Sequence, residues 1–233
     1  MTGRDDFELL EIQARTLFVS NDRDRLLTTN EPHGRPAPRV FIGRSAGGDV
    51  VRFRADVPTA LKAEVTELAG FLPPYRHEPS SGEYNAILEA LERYGRVEDT
   101  FEGPAFRFPE DIEAPVHDLV RVTPANVDIL PVRFDLTDEI EGRQPCFAIV
   151  ADGEVRALSY TSRLSEVAAE AGANTDEEYR RRGYAASLVA AWARETRALG
   201  RIPLYSTWWA NTASRALAAR LRVIPYATDF WAR

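Results

Sequence analysis

The chain reads as an α/β protein, regular in its second half and looser in its first. Ala185, Leu188, Val189, Trp192, Ala193, Thr196 and Leu199 recur at i, i+3, i+4, i+7 spacing, which predicts an amphipathic helix closed by Gly200. Short apolar runs at residues 146–150, 155–160 and 202–209 flank it and read as strands. At 233 residues the chain is long enough for two compact units, each able to bury a core.

Composition narrows the classes. With 44% apolar and 28% charged residues the chain is expected to fold unaided. A formal charge of -7 gives no pull toward nucleic acid or anionic lipid, and it favours approach of cationic small molecules such as amines. Cys146 is the single cysteine, so an intramolecular disulfide and a thiolate metal cage are both excluded. Its apolar surroundings predict a core residue. His33, His77 and His117 have no metal-ligand spacing, and no metal is expected. The opening residues Met1 to Asp6 lack the apolar segment of a signal peptide, and no run is long enough to span a bilayer. A cytoplasmic location is the expectation.

In the first half, residues 16–19, 25–27, 40–42 and 50–54 predict strands, with a hairpin turn at residues 46–49. A helix should follow, with Asp56 as N-cap, Pro58 in its first turn and Leu61, Val65, Leu68 and Ala69 on one face. Residues 72–82 read as a loop and residues 83–94 as a helix ended by Gly95. Pro104, Pro109 and Pro115, set among acids, make residues 100–115 the expected interdomain connection. That gives a mixed α/β domain of unknown role at 1–115 and a second domain at 116–233.

The second half should run strand (119–122), short helix or loop (126–134), strand (146–150), turn at Asp152-Gly153, strand (155–160) and strand (166–175). The long helix follows, then strand 202–209. A helix over 211–221 capped by Asn211 and a strand over 223–231 interrupted by Pro225 complete it.

The segment joining strand 166–175 to the long helix carries the chemistry. In Arg180-Arg181-Arg182-Gly183-Tyr184-Ala185 a residue without Cβ stands where a helix begins, so an anion can approach free backbone N–H groups closely. The arginines add charge and forked donors suited to phosphate oxygens. The Gly-Lys-Ser/Thr ending of a nucleotide P-loop and the Gly-x-Gly-x-x-Gly of a dinucleotide site are both absent, so a different diphosphate is implied. The same hexapeptide also suits a solvated basic helix start after Asp176, Glu177 and Glu178.

With the strand ending Ala173-Asn174-Thr175, the segment 178–185, the helix, strand 202–209 and Asn211-Thr212-Ala213-Ser214, the chain from about residue 119 to 233 resembles the GNAT superfamily of N-acetyltransferases. The family pattern Arg/Gln-x-x-Gly-x-Gly/Ala falls on Arg180, Gly183 and Ala185. The resemblance implies a GNAT-like, mostly antiparallel sheet that is splayed at its centre. It implies that backbone groups around Arg180, Arg181, Arg182, Gly183, Tyr184, Ala185 and Ala186 hold the CoA diphosphate. Ala173, Asn174 and Thr175 would lie along the pantetheine arm, their N–H groups facing the thioester carbonyl, and Asn211 would contact CoA as well as cap a helix. Glu170, on the strand before the turn, is the expected general base, with an exposed strand residue as the plain alternative. Ser214 is a weaker candidate acid. Tyr205 and Tyr226 read as packed residues. Two departures stand out: the position of the family's tyrosine acid holds Ala218, and the Gly-aromatic pair after the last helix is Arg222-Val223.

The function so implied is transfer of an acetyl group from the cosubstrate acetyl-CoA to a primary amine of a small molecule or peptide by direct attack. A non-catalytic CoA-binding regulatory module is the alternative, favoured by Ala218. A partner-binding protein that keeps only the fold is a third.

Overall fold

A computed structural model describes residues 4–233; the reading of Met1 to Gly3 as part of a leaderless start lies outside them. The expected strand at 16–19 holds at Phe18 and Val19, but Thr16 and Leu17 belong to a helix that precedes it. Helix α1 (Asp6–Leu17) is capped by Asp5, whose carboxylate accepts the Glu8 N–H at 2.7 Å, and it buries Leu9, Leu10, Gln13, Ala14 and Leu17. A polar Gln13 within that face hides the helical period from a reading of apolar residues alone.

Strands β1 (Phe18–Ser20) and β2 (Leu26–Thr29) form a separate two-stranded ribbon. The hairpin of β3 (Val40–Ser45) and β4 (Gly48–Phe53) follows, then α2 (Thr59–Gly70) and α3 (Asn85–Glu92). Asp56 does not cap α2. Its carboxylate is taken by Arg54, Nε to Oδ1 at 2.7 Å, and α2 starts after Pro58 with no side-chain cap.

The linker expectation fails at β5 (Thr100–Arg107), which lies within the main sheet. Beyond it come β6 (Val120–Val122), two 3-10 turns, β7 (Cys146–Ala151), β8 (Glu154–Leu164), β9 (Ala168–Thr175), α4 (Tyr184–Ala198), β10 (Ile202–Ser206), α5 (Thr212–Arg220) and β11 (Ile224–Ala232). Strand β10 is shorter than expected and stops at Ser206, although the Thr207 and Trp209 N–H groups still donate to the Pro104 and Glu102 carbonyls of β5. Pro225 does interrupt β11, at a register shift between Pro225 and Ala227.

Among the described residues nine strands make one sheet in the order β4-β3-β11-β5-β10-β9-β8-β7-β6, in which only β9 and β10 pair in parallel. Strand β5 sits antiparallel between β11 and β10, so residues on both sides of Pro115 build the same sheet. Neighbouring residues of a strand point to opposite faces. Ala105 and Leu204 accordingly pack with Leu9, Leu10 and Leu17 of α1 on one face, while Phe106 and Tyr205 pack with Val189 and Trp192 of α4 on the other. Cys146 is buried as expected, and burial pushes its thiol up to about 12.

Candidate functional site

Strands β9 and β10 pair only through Ala168–Ile202, Ala169–Pro203 and Glu170–Leu204. Past these, β9 continues to Thr175 along β8, whereas β10 stays with β5 and stops at Ser206. Thr207 and Trp209 still donate to Pro104 and Glu102 of β5, and the chain there lies close over Gly103: a Cβ on Gly103 would stand 1.8 Å from the carbonyl oxygen of Thr207, so only glycine permits the approach. The divergence opens a cavity of about 410 Å³. Ala171, Ala173 and Tyr205 from the two strands line it, with Asn211 and Ser214 of α5 on the α4 side; Arg163, Glu31 and Asp229 line it on the α1 side. Asn174 and Thr175 are not among its lining residues.

The turn after β9 is built for an approach from outside. Arg181 and Gly183 both adopt the left-handed conformation, with φ of 62° and 86°. Gly183 is the N-cap of α4 and offers no side chain to the helix, unlike Asp5 of α1 or Asn211 of α5, whose Oδ1 accepts the Ser214 N–H at 3.0 Å. Ser187 N–H bonds to the Gly183 carbonyl, which leaves the N–H groups of Tyr184, Ala185 and Ala186 without intrahelical acceptors. Gly183 is constrained from behind as well: a Cβ there would lie 3.0 Å from Pro115 Cγ, and Tyr184 packs edge-on against His117 at 5.0 Å. Asp176 does not neutralise the arginines. It is held by Arg133, Nε to Oδ1 at 2.8 Å, and this bond with Arg156 nearby holds its carboxyl below the usual range. Arg180, Arg181 and Arg182 are exposed and form no ion pair among the described residues.

Glu170 is not the exposed strand residue of the plain alternative; it is 2% exposed. Arg163 Nη1 donates to its Oε2 at 2.7 Å, and the Ser206 hydroxyl donates to its Oε1. Arg163 also reaches Glu31, and these two carboxylates outweigh the burial that would lower the guanidinium, so its pKa is raised. Glu170 itself does not line the cavity; Ser206 and Arg163 stand between.

Ser214 is half-buried at the start of α5 and lines the cavity beside Tyr205. Burial raises the Tyr205 phenol, with the nearby Ser214 hydroxyl offsetting part of the rise. Ala218 is packed in the core with Tyr205 and Leu221, so no acid occupies that position. Arg222 keeps the left-handed geometry of the turn it enters, with φ of 51°. Tyr226 is packed as expected, its hydroxyl donating to Gln13 Oε1 at 2.8 Å.

Sequence reasoning missed Arg163 and Asp229 and, although the resemblance put Ser206 at the edge of the pantetheine cleft, not its bond to Glu170; Arg163, Ser206 and Asp229 come to one cavity only after folding. Asp229 alone left a local sign, an acid inside the apolar run of a strand.

The family model described as FR47-like protein matches residues 159–232, from within β8 to the end of β11. This region is similar to FR47-like proteins. That match and the splayed, mostly antiparallel sheet with flanking helices agree with the GNAT-like fold expected for the second half. No curated protein sequence matches the chain. Among solved structures, a Drosophila protein is similar at 15% identity and a TM-score of 0.51, over 97% of this chain and 86% of the other. A GNAT-family acetyltransferase from Colwellia psychrerythraea is similar at 13% identity and a TM-score of 0.49, over 92% and 80%. A putative GNAT-family acetyltransferase from Novosphingobium aromaticivorans is similar at 19% identity and a TM-score of 0.45; the match covers 59% of this chain and spans 66% of that protein's length. The Drosophila likeness is one of fold.

Proposed function

We propose that the chain is an N-acyltransferase that moves an acetyl group from acetyl-CoA to a primary amine. The observation that carries this reading is the order along the chain: the strand edge that lines the cavity at Ala171 and Ala173 leads into three arginines with no ion pair among the described residues and then into an uncapped helix start. An oxyanion at the start of α4 would meet free N–H groups, the helix dipole and guanidinium forks together. A chain attached to that diphosphate could run along the β9 edge past Ala173 and Thr175, adding main-chain hydrogen bonds as an added strand does. Asn211 lies across the gap to contact it. The thioester would then stand where the cavity meets Ser206.

The amine would enter from the α1 side. Positioning the two reactants supplies much of the acceleration, and backbone N–H groups near Ala173 to Thr175 would stabilise the developing oxyanion. Glu170 would receive the amine proton through Ser206 or a bound water, so no covalent enzyme intermediate is needed. On this reading residues 1–115 supply β5 and the acceptor side of the cavity. Amine-dependent thiol release from acetyl-CoA tests it.

Ala218 favours a second reading, a CoA-binding module without turnover. Stabilisation by CoA with no thiol release for any amine would select it. The buried Cys146 thiol fits a reducing, cytoplasmic setting for either.

A further inference from the structure

Asp229 lies on β11 at the α1 side of the cavity. It is 1% exposed, and its register partners on both neighbouring strands are glycines, Gly43 and Gly103. Leu10 of α1 fills the space over Gly43, and the backbone at Thr207 and Trp208 fills that over Gly103. The carboxyl is thus walled in by a helix and by the chain leaving β10. Gln13 Nε2 donates to its Oδ2 at 2.7 Å. Among the described residues its Oδ1 is buried without a hydrogen-bond partner, and no cation forms an ion pair with it. A buried carboxyl in that position takes the neutral form, because burying an unpaired charge costs more than keeping the proton. Oδ2 already accepts, so the proton belongs on Oδ1, and the O–H is a donor awaiting an acceptor. Burial and the nearby charge of Glu170 both push this carboxyl well above its ordinary value, in agreement.

The rest of the wall carries both signs. Arg35 and Arg233 line the same cavity and form no ion pair among the described residues, and Arg233 Nε is buried without a partner. Asp99 faces it too. Phe101, Trp208 and Trp231 form an aromatic side, Phe101 lying 5.0 Å from Trp208 and 5.6 Å from Trp231. A simple amine would leave the guanidiniums and the Asp229 donor unused. A ligand with an amine and an oxyanion uses all of them.

We propose that the acceptor is a small amine that also carries a carboxylate, bound in this cavity with one of its oxygens accepting a hydrogen bond from Asp229 Oδ1. This deepens the acyltransferase reading and rests on it. The cavity volume suits a single metabolite rather than a folded protein.

The test sets the common amino acids against their decarboxylated amines in thiol release from acetyl-CoA, with acetyl-CoA binding measured by calorimetry. At least one amino acid should exceed its decarboxylated amine by about tenfold or more in kcat/KM. Asp229→Leu should raise the KM for that amino acid by about tenfold or more, the scale of one hydrogen bond to a charged group, with kcat and acetyl-CoA affinity changing by less than about threefold. Asp229→Asn keeps an acceptor for Gln13 and presents an N–H to the cavity, so it should restore the KM; a purely structural role would not give this split. If the leucine variant does not fold, Asp229→Ala makes the same test. Preference for the decarboxylated amines, or an unchanged KM in the leucine and alanine variants, would overturn the proposal alone; acetyl-CoA binding with no thiol release for either set would select the module without turnover and overturn both readings. Absence of acetyl-CoA binding would instead overturn the acyltransferase reading beneath it.

Discussion

The hydroxyl of Ser206 donates to the buried carboxylate of Glu170, which joins a base candidate on one diverging strand to the cavity wall on the other. A protonated amine cannot attack a thioester, and this pair offers the proton a way out. Glu170→Gln keeps the shape and removes the base. At neutral pH turnover should fall at least about tenfold, a conservative part of the usual general-base contribution. Part of it should return at alkaline pH, where more acceptor is already neutral. Acetyl-CoA affinity should hardly change, because the phosphates would contact the turn after Arg180. Ser206→Ala should fall between. Steady-state kinetics against pH check both, and wild-type turnover in the glutamine variant at every pH would remove Glu170 from the reaction.

A protein of residues 116–233 tests what the shared sheet means. The fragment lacks β3, β4 and β5, so β10 keeps one unpaired edge and β11 loses both of its partner strands, and such edges aggregate. We expect insoluble protein, or soluble protein that binds CoA and no longer turns over an acceptor. Centrifugation and thiol release decide it. Full activity in the fragment would make the first half a separate module.

Asp229 should also write itself into stability. Burial first, and then the charge of Glu170, raise its folded-state pKa well above 3.8, while the Gln13 bond and Arg163 offset part of the rise. The folded protein therefore holds a proton that the unfolded chain has released. Its contribution is fully present below about the unfolded value of 3.8 and is lost as pH rises toward the folded one. Asp229→Asn abolishes this linkage. The variant should melt higher than wild type at neutral pH, with the difference shrinking as pH falls toward 4, near that unfolded value. Melting curves across the range check the sign, and a parallel pH dependence in the two proteins would refute it.

Local signals were readable and distant ones were not. The turn at 180–183 and α4 declare themselves within a few residues, through Gly183, the arginines and a strong helical period. The hairpin at Asp152-Gly153 does the same, with both residues at positive φ. Strand β5 is the opposite case. Gly103 and Pro104 look like loop residues, yet Gly103 is there for the chain lying close over it, and the strand's partners β10 and β11 come about a hundred residues later. Helix α1 was masked by Gln13, whose amide serves Asp229 and Tyr226 from the other end of the chain. Glu170 could be named from its place before the turn, but its burial and its partners Arg163 and Ser206 needed the fold.

The turn at Arg180–Gly183 is the foundation of the functional reading, and a melting experiment with acetyl-CoA reaches it without knowledge of the acceptor. Ligand at about 100 times its dissociation constant should stabilise the wild-type protein by about 2.7 kcal/mol, since the turn exists only in the folded state. Gly183→Val places a branched side chain at φ of 86°, against Pro115 and over the free N–H groups, so it should melt lower by itself and should also lose most of the ligand-induced shift. The ligand-induced shift, and not the melting temperature alone, is the quantity to compare. An acetyl-CoA shift in wild type that largely vanishes in Gly183→Val is the expected result; no shift in wild type, or an equal shift in both, would mean that CoA does not bind at this turn.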